Sequence, residues 1–119
     1  LRIDLALAGG ISEARKIAAA GETHYLEVVP HCARGPFLEQ VSLHFSIATA
    51  NVALREHTGG PAWWNDVFDG LADFSSGTGA AVDRPGFGVS FNEGEARKHL
   101  FVQRQMPRWR KPDGSVQDW

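Results

Sequence analysis

The sequence predicts an α/β fold with a parallel sheet, and three observations point that way. Segments of about five residues with extended character alternate with segments of about twelve residues with helical periodicity. Glycine or proline marks the junctions between them, at Gly9-Gly10, Gly21, Pro30 and Gly35-Pro36. An ionisable residue closes each extended segment, at Asp4, His31 and Glu56. Strands joined through helices of this length need crossover connections, so the strands lie parallel.

The elements follow in order. Arg2 to Leu5 reads as a strand that Ala8-Gly9-Gly10 breaks. Ile11 to Ala20 reads as a helix, with Ile11, Ala14, Ile17 and Ala18 on one face and Gly21 at its C-terminal end. Tyr25 to Pro30 is the second strand; Leu26, Val28 and Val29 give it a buried character and Pro30 closes it. Gly35-Pro36 opens a second helix from Phe37 to about Ala48, with Leu38, Val41, Phe45 and Ala48 as its apolar stripe. Asn51 to Arg55 is the third strand. Beyond Glu56 the pattern changes. A polar loop from His57 to Ala62 leads into an aromatic patch of Trp63, Trp64, Phe68, Leu71 and Phe74, followed by a turn-rich spacer from Ser75 to Gly79. Pro85-Gly86-Phe87-Gly88 turns into a short strand at Val89–Phe91, and Asn92 with Glu95 resembles a capping box for a helix to about Phe101. Gln103 to Trp119 reads as a basic, then polar, tail without periodicity. No internal repeat is evident.

At 119 residues the chain has room for one compact domain. Its apolar share of 43% and charged share of 22% exclude the disordered class. Twelve Lys and Arg against fourteen Asp and Glu leave a net charge of -2, which argues against nucleic acid or an anionic membrane as a partner. A single cysteine, Cys32, excludes an internal disulfide and a multi-cysteine metal site, and suits a reducing compartment. No apolar run approaches the ~18 residues of a spanning helix, and no charged-then-apolar leader precedes the fold. The expected setting is the cytoplasm. The chain opens at Leu1 inside an apolar stretch without an initiator Met, which predicts a start within a fold.

In parallel α/β sheets and barrels, chemistry gathers at the C-terminal ends of the strands. Asp4, His31 and Glu56 occupy those ends at intervals of 27 and 25 residues, one strand-plus-helix unit each. Adjacent parallel strands lie ~4.8 Å apart, so side chains at neighbouring ends can meet. Asp4 would accept from one ring nitrogen of His31, fix its tautomer and leave the other nitrogen as a base. Glu56 would flank the same cavity as a hydrogen-bond partner or an acid. Taken singly, each has an ordinary reading: Asp4 as a turn cap, His31 as a partly buried loop histidine, Glu56 as a solvated strand end. Their matched positions on successive strands favour the joint one.

Other candidates are weaker. Cys32 beside His31 suggests a thiolate–imidazole pair, but adjacent extended residues point to opposite sides. His24, His44 and His99 lie on or beside helices with no partner at ligand spacing. His57 follows Glu56 and is expected to line the same loop. Gly9-Gly10 suits a helix-entry turn better than a phosphate cradle, and Gly77-Thr78-Gly79 reads as a turn. Arg104, Arg108, Arg110 and Lys111 with Trp109 could meet a polyanion, though a solvated tail packed on protein is favoured.

At these residues the sequence resembles the enolase superfamily, in its acid-sugar dehydratase branch and closest to the D-galactonate dehydratase group. The resemblance is carried by Asp4 with Ala8 through Ala18, by Val29-Pro30-His31-Cys32 with Gly35-Pro36, and by Leu43-His44, Asn51 and Glu56. Arg84 through Gly88 resembles the family's proline-glycine-leucine-glycine stretch, with Phe87 in place of leucine. Trp109-Arg110, Asp113-Gly114-Ser115 and Trp119 resemble its C-terminus. The similarity runs over nearly the whole chain and covers the last third of the family's length. Departures include Arg34 and Glu39, where relatives are mostly apolar or small, and Phe74 to Val82, which lacks the expected Asp-Gly turn.

The resemblance implies the C-terminal portion of a modified (β/α)₇β TIM-type barrel, about strands six to eight, with the C-terminal part of a capping domain. Residues 1–57 would supply the βαβαβ barrel part, and 58–119 the loop, short strand, helix and tail that complete barrel and cap. It implies that His31, oriented by Asp4, removes the proton α to a substrate carboxylate, and that Glu56 hydrogen-bonds that carboxylate, so His31 and Glu56 also bind substrate. It implies a Mg²⁺ ion held by three carboxylates upstream of this chain, none of them here, and a second upstream histidine that helps the 3-hydroxyl leave. The expected product is a 2-keto-3-deoxy sugar acid, and the expected partners are a small sugar-acid substrate and further copies in a homo-oligomer. A non-catalytic barrel fragment that serves only as a structural or association module is the alternative, since a cut barrel exposes an edge strand at Arg2–Leu5.

Overall fold

The computed structural model describes residues 1–32, 35–81, 83–103 and 109–117. The first half is a parallel strand–helix–strand–helix unit. Strand β1 (Arg2–Asp4) pairs in parallel with β2 (Val29–His31), in the register Arg2↔Val29, Ile3↔Pro30, Asp4↔His31. Helix α1 (Ile11–Glu22) connects them, and α2 (Pro36–Ile47) follows β2. Side chains alternate across a strand, so the register sorts them onto two faces. Ile3, Leu5 and Val28 turn toward the helices and form the core with Ala14, Ala18 and Phe45, while Leu38, Val41 and Val52 pack against it. Arg2, Asp4, Val29 and His31 share the opposite face.

Both helices start at a glycine that no other residue would replace without strain. Gly10 caps α1 at φ 94°, ψ -173°, and Gly35 caps α2 at φ 93°, ψ 173°. This region is essentially restricted to glycine. Pro36 then fills the first helical position of α2, where its missing N–H would have had no partner in any case.

The structure corrects several expectations in detail. Helix α1 continues through Gly21 to Glu22 rather than ending there. Gly21 is buried within the helix, and a Cβ there would displace the mobile end of the half-exposed Leu1 side chain. The terminating left-handed residue is Tyr25, at φ 56°. Leu26 N–H donates to Gly21 O at 3.0 Å and Tyr25 N–H to Glu22 O at 3.0 Å, which is the paired closure of a Schellman end. The second strand therefore starts at Val29, not Tyr25, and Pro30 lies within it. Ile17 and Ala48 point outward instead of joining the apolar stripes, and buried Glu39, Gln40 and Ser42 share α2 with Leu43 and Phe45.

The expected third strand reduces to one bridge, Val28↔Val52. Val28 bonds to it on both sides (Val28 N–H to Asn51 O, 2.8 Å; Ala53 N–H to Val28 O, 3.3 Å), and Glu56 N–H donates to Pro30 O at 3.2 Å. Pro30 faces this segment with its carbonyl and has no N–H to return, so the ladder breaks there. Asn51 compensates from the other end, where its Nδ2 donates to Ala18 O and Leu26 O, each at 3.0 Å.

In the second half, α3 (Trp64–Val67) leads into β3 (Phe68–Asp69), which pairs antiparallel with β4 (Ser90–Phe91). Asn92 caps α4 (Glu93–Ala96) by accepting from Glu95 N–H at 3.1 Å. The Glu95 side chain pairs with Lys98 instead of closing the reciprocal bond of a capping box, and α4 stops well short of Phe101. The tail expected to lack pattern forms a small antiparallel turn, with Arg110 bridged to Val116 around Asp113-Gly114. Arg34, Arg104, Arg108 and Trp119 lie outside the described residues.

Candidate active site

Asp4 ends β1, and its two oxygens divide the work. Oδ1 accepts from the N–H groups of Ala6 (2.9 Å) and Leu7 (3.1 Å), which shapes the turn after the strand. Oδ2 faces the register partner at the end of β2 and accepts from His31 Nδ1 at 2.9 Å. Asp4 thus makes the turn-capping bonds and the bond to His31 at once. With its Nδ1 proton directed at a carboxylate, the His31 ring presents Nε2 to the open face as a proton acceptor.

Glu56 arrives beside this pair along the third segment. Its Oε2 lies 3.8 Å from His31 Nε2, too far for a hydrogen bond, and its Oε1 is 2.7 Å from Arg2 Nε. The bond from Arg2 is the main cause that holds the Glu56 carboxyl below the ordinary carboxylate range. Partial desolvation opposes it, and the Arg2 charge, the nearby His31 and the Cys32 backbone N–H reinforce it. Arg2 was not singled out from the sequence. The available signal was its place two residues before Asp4, hence on the same strand face.

The remaining candidates separate from the site. Cys32 is buried while His31 is part-exposed, as alternation along a strand requires. His57 turns away from Glu56 and binds the Glu39 carboxylate on α2, against the expectation that it lines the same loop. His44 packs edge-on against Phe87, His99 stacks on Trp63, and His24 is exposed. Gly9-Gly10 forms a helix entry, and Arg110 is engaged with Gly114 O at 2.9 Å. A cavity of about 430 Å³ lies between α2 and the following loops, lined by Glu39, Gln40, His57, Trp64 and Phe74 among others, and it does not include the dyad.

Among the described residues, no group of three or more His, Cys, Asp and Glu side chains is arranged to hold a metal ion. The two carboxylates at the strand ends are engaged with His31 and Arg2. These residues do not make a divalent-metal site. Among the described residues, no helix is long and apolar enough to cross a membrane.

Parallel strands joined through helices that pack on one face are the arrangement of a segment of a (β/α)-barrel. The chain belongs to the enolase C-terminal domain-like family, whose pattern matches residues 1–95. It is 37% identical over 131 residues to a D-galactonate dehydratase of Verminephrobacter eiseniae, covering 100% of this chain and 34% of that protein. It is 34% identical over 130 residues to one of Pectobacterium atrosepticum, covering 98% of this chain and 33% of that protein. The chain therefore spans about a third of the length of the curated relatives it matches. An enolase from Pantoea ananatis with bound D-gluconate and magnesium superposes with a TM-score of 0.85 at 28% identity, over 97% of this chain and 29% of that one. An enolase from Agrobacterium radiobacter with bound sodium and L-malate gives a TM-score of 0.84 at 28% identity, over 97% and 33% of the two chains.

Proposed function

We propose that this chain is the part of an acid-sugar dehydratase that carries the base for α-proton removal. The observation that supports this reading most is the 2.9 Å bond between His31 Nδ1 and Asp4 Oδ2 at paired strand ends. A carboxylate on Nδ1 leaves Nε2 free to accept a proton, and His31 stands on a face open to a small anion. In the proposed step Nε2 takes the proton α to the substrate carboxylate. The C3–O bond then breaks, the 3-hydroxyl leaves as water with a proton from an acid outside this chain, and the enol tautomerises to a 2-keto-3-deoxy acid. Glu56 is proposed to meet the substrate carboxylate. An ionised Glu56 only accepts hydrogen bonds, so donation requires a proton that the Arg2 pair opposes. A substrate carboxylate that draws Arg2 to itself would relieve that opposition.

Magnesium, bound in the Pantoea relative, would be held by residues outside this chain. Residues 1–57 are proposed as the barrel part and 58–119 as the part that completes barrel and cap, in a cytoplasmic homo-oligomer. The test uses the enzyme that carries this chain, with D-galactonate and D-gluconate as probes. His31→Asn should lower both dehydration and α-proton exchange with deuterated water by about 10²–10⁴-fold or more, followed by proton NMR. Wild-type exchange in His31→Asn would remove His31 as the base and the proposal with it.

A further inference from the structure

Arg55 and His57, the neighbours of Glu56 in sequence, turn away from the dyad and meet one carboxylate, Glu39, in the first turn of α2. His57 Nδ1 is 2.5 Å from Oε2. Arg55 Nη2 stands 3.6 Å from the same oxygen, while its Nη1 donates to the Glu39 backbone carbonyl at 3.3 Å. Oε1 accepts from Thr58 twice, from N–H at 3.3 Å and from Oγ1 at 3.2 Å. Phe74 closes the cluster, with the Arg55 guanidinium 4.2 Å above its ring and the His57 ring 4.7 Å away.

Glu39 is only 4% exposed. A carboxylate buried this deeply is strongly destabilising unless charges and donors answer it. Here they come from positions 55, 57 and 58, so one side chain binds the segment on both sides of Glu56. Arg2 and the Cys32 N–H hold the Glu56 carboxylate itself, while its backbone donates to Pro30 O at 3.2 Å, so the path of the segment on either side is left to the Glu39 cluster.

We propose that Glu39 is a positioning residue: it locks residues 55–58 against α2 and so sets the Glu56 carboxylate beside His31 Nε2. This inference rests on the reading of His31 and Glu56 as reaction groups. A merely structural clamp would cost stability without a selective effect through Glu56.

The experiment is a mutant cycle in the enzyme that carries this chain, with D-galactonate and D-gluconate as probes. Glu39→Ala should lower kcat about 10- to 100-fold with KM changed less than about threefold, the scale expected for a displaced reaction group. In a Glu56→Gln background the same change should cost less than about threefold, because the residue through which it acts is already disabled. The carboxyl ¹³C signal of Glu56 should shift in Glu39→Ala. Glu39→Gln, which keeps the volume and an acceptor for Thr58, should fall between the two in kcat. Should Glu39→Ala fail to fold, Glu39→Gln decides: a lowered kcat with a moved Glu56 signal supports the proposal, and wild-type values of both overturn it. Additive losses of Glu39→Ala and Glu56→Gln also overturn it, while leaving the dehydratase reading intact. Full activity in both Glu56→Gln and His31→Asn would overturn the dehydratase reading and this inference together.

Discussion

Arg2 and Glu56 meet at 2.7 Å on the open strand face, and this contact governs the charge available beside His31. Glu56 has its carboxyl pKa lowered from 4.5, chiefly by the Arg2 bond. A depressed carboxylate contributes stability above its unfolded pKa and loses that contribution as pH falls through the folded value. Arg2→Met should therefore raise the Glu56 pKa toward 4.5 and shrink the acid-side loss of stability that this group causes. A ¹³C carboxyl titration reads the shift directly; an unmoved midpoint would mean that another group holds Glu56 ionised. Asp4 and His31 were legible as strand ends because each follows a short extended run; Glu56 comes beside them from a segment that pairs at only one bridge. Arg2 was legible only as a residue on the same strand face as Asp4; that Glu56 is its partner depends on where the third segment runs. The Glu39 cluster was equally hidden. Its parts lie 16 to 19 residues apart and meet only through the packing of α2 on the third segment.

At the scale of elements, the end of α1 offers a clean test. Tyr25 takes the left-handed position that glycine favours, and it is 97% exposed, so its side chain has little packing to lose. Left-handed backbone costs a non-glycine residue ~1–2 kcal/mol, while glycine loses ~0.5–1 kcal/mol more entropy on ordering. Tyr25→Gly should stabilise the protein by up to about 1 kcal/mol, visible as a raised denaturation midpoint with an unchanged m value. A lowered midpoint would mean that Tyr25 packs against something. Gly21 is the stronger local stop signal, yet the helix runs through it and the left-handed closing residue is Tyr25. Both helix starts were readable, since Gly9-Gly10 and Gly35-Pro36 are strong local signals. The third segment is strand-like in composition, but its partner at the break is a proline, and that is a property of the pair.

For the molecule as a whole, the radius of gyration is 17.1 Å, against about 13.5 Å for a compact chain of this length. Leu7, Leu54, Leu100 and Phe101 are among its exposed large apolar residues. The proportions are those of a wall rather than a closed globule, in keeping with a match to about a third of each relative. Magnesium wants near-octahedral oxygen ligation, and the strand-end carboxylates here are engaged with Arg2 and His31. Isothermal titration of the 119-residue chain with Mg²⁺ should therefore show no tight stoichiometric site; a 1:1 isotherm would reveal ligands not recognised among the described residues. The interrupted ladder at Pro30 has one more consequence. With one bridge and a few backbone bonds, the third segment takes its alignment from Asn51 at one end and the Glu39 cluster at the other. Its phase is written in side chains rather than in the hydrogen-bond ladder. A slip of one residue would turn Glu56 toward α2 and bring Arg55 before the dyad, reversing the sign of the charge there with little loss of sheet. A single inserted residue between Val52 and Arg55 is thus a route by which the same fold could come to present a different chemistry.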